Sequence, residues 1–258
     1  MLTREQISNL ANRFQIDPLS VVREYLQVLF LEKLSRIPDG ARWYFKGGTA
    51  IRLLKQSFRF SEDLDFTVTQ GAGEVILLLK KVILAVQQEV PEVELRDSQH
   101  SPNSVTGYLR YTPSSLKYPL VVRLQCSLRE RPRRPKTSLL ETVYPIPYPW
   151  IQHLDWPEIL AEKVRALLIR GKGRDLFDLW FLQTKGVALE WPLIRAKMAF
   201  YRRSASPTDL VSAVRRVDSE RLQQDLGPFL PREHRRLPRE LKSRLLEQIS
   251  KQRPLPLK

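Results

Sequence analysis

The stretch that most constrains the fold is KGGTAIRLLKQSFRFSEDLDF, residues 46–66. It follows RWYF, residues 42–45, which we predict to be a short strand that leads into the glycine pair. LDFTVT, residues 64–69, alternates apolar and polar side chains, which is typical of a second strand. Because Asp63 and Asp65 are separated by one residue, both carboxylates fall on the same face. The stretch therefore predicts a strand, a glycine turn, a short helix and a strand with paired acids.

The glycine pair is a candidate anion site. Gly47 and Gly48 precede the predicted helix, whose first N–H groups have no partner within the helix, and Thr49 adds a hydroxyl. Glycine lets a ligand approach the backbone closely, so a phosphate fits this position. An ordinary tight turn before a helix has the same sequence pattern and remains the alternative.

The paired carboxylates are a candidate metal site. Asp63 and Asp65 repel each other unless a positive charge lies between them, and carboxylate oxygens suit Mg²⁺ together with substrate phosphates. The alternatives are a solvated strand face, or a helix start with Ser61 as its N-cap. A phosphate turn followed about fifteen residues later by two metal ligands is the arrangement that a nucleotidyltransferase needs.

The remaining chain has two parts. Residues 3–36 read as helical, with a capping box at Thr3 and a helix start at Asp17-Pro18. A helix over residues 73–90 and three strands follow: VELRDS, SVTGYLRYT and YPLVVRLQCSL. Prolines concentrated between residues 129 and 157 predict a domain boundary, and the chain beyond them reads as helices. We therefore expect domains at residues 1–150 and 151–258, with Asp155 as the N-cap of the first helix of the second domain.

The charge is strongly positive and uneven. The net charge is +15, and residues 195–258 carry 16 Lys and Arg against 7 Asp and Glu. A second basic cluster is RERPRRPK, residues 129–136. Neutralising phosphates releases counterions, so this charge favours a nucleic acid as partner. A solubilising surface, or a basic face that meets an acidic protein, is the alternative.

Other classes of site are excluded by composition. The single cysteine, Cys126, allows neither a disulfide framework nor a thiolate zinc site. The three histidines are far apart in the sequence, which argues against a histidine metal site or a Ser-His-Asp triad. The polar N-terminus has no signal-peptide core, and no run of about 18 apolar residues is present. We expect a cytoplasmic protein without a membrane partner.

Two blocks of the sequence resemble a known family. KGGTAIRLL followed by RFSEDLDF resembles the first motif of the AbiEii/AbiGii-type nucleotidyltransferase toxins, which share the DNA polymerase β-like fold. Downstream, ILAEKVRALLIRGKGRDLFDL resembles the second signature of that family, in which a helix carrying Glu-Lys is followed by Arg-Asp-x-x-Asp. The resemblance covers roughly residues 20–185, and the basic C-terminal tail matches no motif of the family.

The resemblance implies a fold and a set of roles. The fold would be α+β: a polymerase β-like core with a mixed sheet and flanking helices, plus a basic C-terminal helical domain that completes the active-site cleft. Asp63 and Asp65 would bind Mg²⁺ or Mn²⁺. The catalytic residues would be Asp63, Asp65, Lys163 and Asp178, and the NTP-binding residues Lys46, Gly47, Gly48, Thr49, Arg59, Ser61, Arg174 and Asp175. A packing role for the second block, with Arg174 and Asp178 paired along a helix, is the alternative.

One position departs from the polymerase β-like pattern. Gln125 in the strand VVRLQCS stands where many such enzymes have a third carboxylate. Glutamine takes up no proton from an acceptor hydroxyl and is a poor Mg²⁺ ligand. The sequence leaves three explanations open: the third acid is dispensable, Asp175 or Asp178 supplies it, or the enzyme is weakened.

The expected function is metal-dependent transfer of a nucleoside monophosphate from an NTP to a macromolecule. The family implies the toxin of a toxin–antitoxin or abortive-infection system, with the 3′ end of tRNA as acceptor and a cognate antitoxin as partner. The basic C-terminal region would bind the RNA. The alternatives are transfer to a protein hydroxyl by the same site, and a catalytically silent nucleic-acid-binding module on this scaffold.

Overall fold

The computed structural model describes residues 1–114 and 116–251, with only the backbone described for Ser98. The chain divides into two compact units, Met1–Leu154 and a second one that begins at Asp155. The first unit combines a mixed sheet with helices, and the described part of the second is helical, so the predicted α+β class is confirmed.

Strands and helices alternate over residues 18–101 of the first unit, and four further strands follow. In chain order its elements are α1 (Arg4–Phe14), α2 (Pro18–Ser35), β1 (Trp43–Lys46), α3 (Gly47–Leu54), β2 (Leu64–Val68), α4 (Ala72–Gln87), β3 (Val93–Ser101), β4 (Ser104–Tyr111), β5 (Leu120–Ser127), β6 (Pro135–Leu139) and β7 (Trp150–Leu154). The sheet order is β3-β4-β5-β2-β1-β7-β6. β1 runs parallel to β7 and β2 runs parallel to β5, while the other neighbouring strands are antiparallel.

The start signals read from the sequence form as predicted. Thr3 and Gln6 make a reciprocal capping box at the start of α1. The Asp17 carboxylate accepts hydrogen bonds from the first turn of α2, with Pro18 at the first helical position. These local bonds satisfy N–H groups that have no partner within the helix.

The core lies between the sheet and α2 and α4. The Phe66 ring on β2 contacts Trp43 and Phe45 on β1, with ring centroids 5.2 and 5.5 Å apart, and it also contacts Phe30 on α2. All four side chains are almost completely buried. Each contributes about 1.5–3 kcal/mol by leaving water, so β1, which precedes the glycine turn, and β2, which carries Asp65, are firmly fixed.

The strands β6 and β7 differ from the sequence prediction. The sequence indicates a proline-rich boundary between residues 129 and 157, whereas the structure forms two strands there. Proline can occupy the first residue of an edge strand, and Pro135 begins β6 at one end of the sheet order. Residues 151–154, assigned from the sequence to the second domain, therefore lie in β7.

The second unit is a set of helices. They are α5 (Trp156–Arg170), α6 (Gly173–Thr184), α7 (Trp191–Ala199), α8 (Pro207–Arg216), α9 (Ser219–Leu226) and α10 (Pro238–Lys251). Asp155 is the N-cap of α5, as predicted, and Gly171 ends that helix in the left-handed conformation with φ of 62°. Over residues 1–114 and 116–251, none of the helices combines the length and apolar character that a membrane crossing requires.

Candidate active site

The glycine turn joins β1 directly to α3. Lys46 is the last residue of β1 and the N-cap of α3, and Gly47 has a φ of +80°, which favours glycine. The Lys46 ammonium group can only donate hydrogen bonds, so it makes no cap bond to the N–H groups of α3. The start of α3 therefore presents backbone N–H groups and the positive end of the helix dipole, which together suit an anion.

Asp65 lies directly against this turn. Lys46 on β1 pairs with Asp65 on the antiparallel strand β2. A Cβ atom at Gly47 would lie 2.3 Å from Asp65 Oδ2, far inside normal contact distance. Glycine is thus favoured for two reasons, its positive φ and the approach of this carboxylate, and the predicted phosphate turn lies beside a predicted metal ligand.

Three further residues of the first motif surround the turn. A Cβ at Gly48 would lie 2.3 Å from Arg59 Nη2 and 3.0 Å from Ser61 Oγ. Arg59 is buried, and its Nη1 donates to the Phe60 carbonyl oxygen at 2.9 Å. The Thr49 hydroxyl donates to the carbonyl oxygen of Asp63, which connects α3 to the segment that leads into β2.

Arg123 is a site residue that the sequence reading missed. Its Nη2 donates to Asp63 Oδ2 at 2.7 Å, from the neighbouring strand β5. Burial alone would lower the pKa of Arg123, but the charge and hydrogen bond of Asp63 raise it. Gln125, two residues further on, pairs with Asp65, so the position without a third acid is adjacent to the aspartates. The signal in the sequence was the alternation of VVRLQCS, which puts Arg123 and Gln125 on one face.

A buried network holds α3 in place. Arg52 on α3 donates to both carboxylate oxygens of Glu24 on α2, at 2.7 and 3.2 Å. Its Nη1 also donates to the Ser57 carbonyl oxygen, and its guanidinium lies 4.0 Å from the centre of the Phe60 ring. The Tyr144 hydroxyl completes the network with a 3.1 Å bond to Glu24, and its pKa is raised, chiefly by burial. These contacts fix the helix whose N-terminus forms the candidate phosphate site.

The second motif forms a charged cluster between α5 and α6. Lys163 Nζ lies 2.7 Å from Asp178 Oδ2 and 3.4 Å from Asp175 Oδ1. The Arg170 guanidinium donates a bidentate pair of hydrogen bonds to the Asp175 carboxylate, at 2.7 and 2.8 Å. Burial alone would raise the pKa of Asp175, but the charge of Lys163 and the hydrogen bonds from Arg170 outweigh it and lower the pKa. The cluster holds the Lys163 ammonium between two carboxylates.

Neighbouring contacts concern the alternative in which the second motif only packs helices together, with Arg174 paired to Asp178. The Arg174 guanidinium lies 5.0 Å from the centre of the Phe229 ring, while Asp178 contacts Lys163. Lys197, which the sequence reading did not single out, is buried between Glu158 and Glu162, at 2.7 and 3.1 Å. Glu162 of the Glu-Lys motif therefore contributes to packing α5 against α7.

The residues of the first unit fit one divalent cation that shares its coordination with a substrate. Asp63 and Asp65 supply carboxylate oxygens, and the adjoining N-terminus of α3 is suited to the phosphates that complete a Mg²⁺ shell. Within the described ranges, no group of three or more His, Cys, Asp and Glu side chains converges as a metal site. The fit therefore depends on the two aspartates together with ligands from water and substrate.

Comparisons with solved structures show the same fold. MenT4, a nucleotidyltransferase toxin from Mycobacterium tuberculosis, matches with a TM-score of 0.60 and 21% identity, over 98% of this chain and 91% of that chain. A putative nucleotidyltransferase from H. pylori matches with a TM-score of 0.58 and 22% identity, over 92% and 97%. JHP933 from Helicobacter pylori matches with a TM-score of 0.57 and 20% identity, over 92% and 94%.

The family comparison concerns the sequence itself. No protein with a curated function matches the chain significantly. The family model described as "Nucleotidyl transferase AbiEii toxin, Type IV TA system" matches residues 29–252, which include both motifs and most of the helical unit. The chain therefore belongs to the AbiEii family of toxin nucleotidyltransferases, and it is a nucleotidyltransferase.

Proposed function

We propose that this enzyme transfers a nucleoside monophosphate from an NTP to RNA, with the 3′ end of tRNA as acceptor, and that it needs Mg²⁺ or Mn²⁺. The observation that carries the proposal is the position of Asp65, whose Oδ2 lies 2.3 Å from the place that a Cβ of Gly47 would take. That contact puts a cation ligand against an anion-binding turn, which is what binding of a metal-bound triphosphate requires.

Each part of the first unit has a distinct role in this proposal. The N-terminus of α3, with Gly47, Gly48 and Thr49, binds the β- and γ-phosphates, and Lys46 adds a positive charge beside them. Asp63 and Asp65 would hold the cation, which when bound would neutralise charge on the reacting phosphate. The acceptor hydroxyl oxygen forms a bond to the α-phosphorus and its proton passes to solvent, while the bond from that phosphorus to the pyrophosphate oxygen breaks and pyrophosphate leaves.

The proposal also includes the remaining predicted residues. Arg59 and Ser61 lie against Gly48 and support the phosphate turn from behind it. Lys163 remains a predicted catalytic residue, and Asp178 and Asp175 orient its ammonium through the contacts described above. Arg174 remains a predicted NTP-binding residue.

Exposed arginines support a polyanionic acceptor. In the second unit, ten arginines between α7 and the end of α10 are exposed: Arg202, Arg203, Arg215, Arg216, Arg221, Arg232, Arg235, Arg236, Arg239 and Arg244. A surface of this kind binds phosphate backbones by counterion release, which favours RNA over a protein hydroxyl. Membership of a toxin–antitoxin family supports a cognate antitoxin as a further partner.

A transfer assay tests the proposal. Purified protein is incubated with Mg²⁺, each NTP labelled at its α-phosphate, and either total RNA or total soluble protein. Asp65→Ala is compared with Asp39→Ala, which removes an exposed aspartate from the same unit. We expect label on small RNA, lowered about a thousandfold by Asp65→Ala because a metal ligand is worth several kcal/mol in the transition state. The Asp39→Ala protein should behave like the wild type.

The outcomes separate the parts of the proposal. Label on a protein band would retain the chemistry and replace RNA as the acceptor. Equal activity with EDTA and with Mg²⁺ would remove the metal from the mechanism. Full activity of Asp65→Ala would overturn the assignment of the site.

A further inference from the structure

A row of side chains crosses the sheet from the aspartates to its edge. Asp63 contacts Arg123 on β5, which pairs with Tyr108 on β4, which in turn pairs with Arg96 on β3. Directly paired residues point to the same face of a sheet, and neighbouring strands lie about 4.8 Å apart. The row therefore extends about 14 Å from the candidate metal ligands.

This face is the open face of β3, β4 and β5. The alternate residues Leu109, Val122 and Leu124 are completely buried on the opposite face, where α4 packs on β3 and β4 and α2 packs on β5. In contrast, the side chains of Arg96 and Arg123 are 54% and 42% exposed.

Arg110 adds a third cation to this face. It pairs with Glu94 on β3, and Glu94 also contacts Arg96, so both arginines form ion pairs with the same carboxylate. The Nε–H groups of Arg110 and Arg123 are shielded from solvent and meet no hydrogen-bond acceptor. The face thus carries three arginines against the carboxylates of Glu94 and Asp63, which leaves a net charge of +1 among these five residues.

The order of the strands indicates from which direction the acceptor approaches the NTP. In the proposed function, the pyrophosphate leaves from the turn at β1, and the aspartates lie on β2. The attacking and leaving oxygens must be roughly in line across the α-phosphorus. The acceptor therefore approaches from the side opposite β1, which is the side of β5, β4 and β3.

We infer that the open face of β5, β4 and β3 binds the single-stranded end of the RNA acceptor, with Arg96, Arg110 and Arg123 on its phosphates and Tyr108 against a base. The inference rests on the proposed function and adds the surface that delivers the acceptor. Three arginines beside one tyrosine match the combination of cations and an aromatic platform that binds single strands. A length of about 14 Å accommodates about four stacked nucleotides at about 3.4 Å each.

Direct binding tests the surface separately from catalysis. The probes are a fluorescein-labelled single-stranded oligoribonucleotide and labelled total tRNA, measured by anisotropy with EDTA and without NTP. Arg96→Gln/Arg110→Gln is compared with Arg4→Gln/Arg13→Gln, which removes the same charge from exposed positions on α1. Arg123 is left intact because its loss would also alter Asp63. Tyr108→Ala and the single variant Arg96→Gln are measured in parallel, and NTP binding checks that each protein is folded.

We expect the sheet double variant to bind both probes about tenfold more weakly, and its log–log salt slope to fall by about 1.4 for the single strand. Tyr108→Ala should weaken binding about fivefold without changing that slope. In the transfer assay, KM for RNA should rise while the affinity for NTP stays unchanged.

Equal RNA affinity for the wild type, the sheet double variant and the α1 double variant would overturn the inference, and transfer of label to RNA would then still support the proposed function. If the wild type bound neither probe, the inference would also be overturned. If the sheet double variant failed to bind NTP, Arg96→Gln and Tyr108→Ala would decide the matter by the same criteria.

Discussion

At the scale of single residues, Gly47 is the position where a constrained backbone conformation adjoins a candidate metal ligand, Asp65. Alanine there would adopt a positive φ at a cost of about 1–2 kcal/mol, and its Cβ would meet Asp65 Oδ2 at 2.3 Å. Either the turn or the carboxylate must move. We expect Gly47→Ala to fold and to lose transfer activity about a hundredfold or more, because a displacement of 1 Å in a site is enough for such a loss.

Gly73→Ala is the matched control for this prediction. Gly73 lies in the first turn of α4, and an added Cβ would meet nothing within 4 Å. The control should keep full activity and gain up to about 1 kcal/mol of stability, since alanine is the better helix former. Circular dichroism would verify that both variants fold, and full transfer activity in Gly47→Ala would show that the turn tolerates displacement.

Sequence reasoning singled out the turn and the aspartates because glycine pairs and closely spaced acids allow few local structures. Gly47, Asp63 and Asp65 lie within nineteen residues of one another, where local rules on turns and strand alternation apply. Arg123 is sixty residues from Asp63, and their contact depends on the pairing of β2 with β5. No local pattern specifies that register, so the side chain beside the aspartate became evident only in the fold.

At the scale of secondary-structure elements, α5 and α6 are joined by a buried charge cluster. Asp175 is 1% exposed and contacts Lys163 and Arg170. Asp175→Asn should lower the free energy of unfolding by about 3 kcal/mol at neutral pH, because it leaves the largely buried Lys163 with one carboxylate fewer. Arg170 is 52% exposed and stays solvated, so it contributes little to this loss. Urea unfolding of both proteins would measure the difference.

The pH dependence of that difference has a definite sign. The pKa of Asp175 in the folded state is lower than its usual value of 3.8. The stabilisation is therefore fully present above about pH 3.8 and is lost as the pH falls through the folded pKa. The gap between wild type and Asp175→Asn should be constant near neutrality and shrink in acid. A gap that grew as the pH fell would contradict a charge-based role for this carboxylate.

The elements themselves were unequally predictable. Caps at Thr3, Asp17 and Asp155 are local, and each formed where the sequence placed it. The strands β6 and β7 were missed because proline usually argues against a strand, and only their place in the sheet accounts for them. β7 pairs with β1, and the hydrogen bonds of that pairing cannot be predicted from the local propensity of the sequence.

At the scale of the whole molecule, charge is the property that the sequence alone predicts best. The net charge of +15 follows from composition, and the structure adds which of the basic residues face solvent. Lys197 shows why the count is insufficient, since it lies within the basic C-terminal region yet is buried between two glutamates. Only the basic residues that face solvent can neutralise phosphates.

Reversing two of these charges gives the last prediction. Arg235→Glu/Arg236→Glu changes exposed residues before α10, and Arg4→Glu/Arg13→Glu applies the same change to α1. If the basic C-terminal region binds the RNA backbone, the first variant should lower the log–log salt slope for tRNA binding by about 1.4 to 1.8, while the second leaves it unchanged. Equal slopes in both variants would show that the excess charge acts through the general field of the protein. A fall confined to Arg235→Glu/Arg236→Glu would instead place phosphate contacts at this surface, since contact-based counterion release depends on position as well as on net charge.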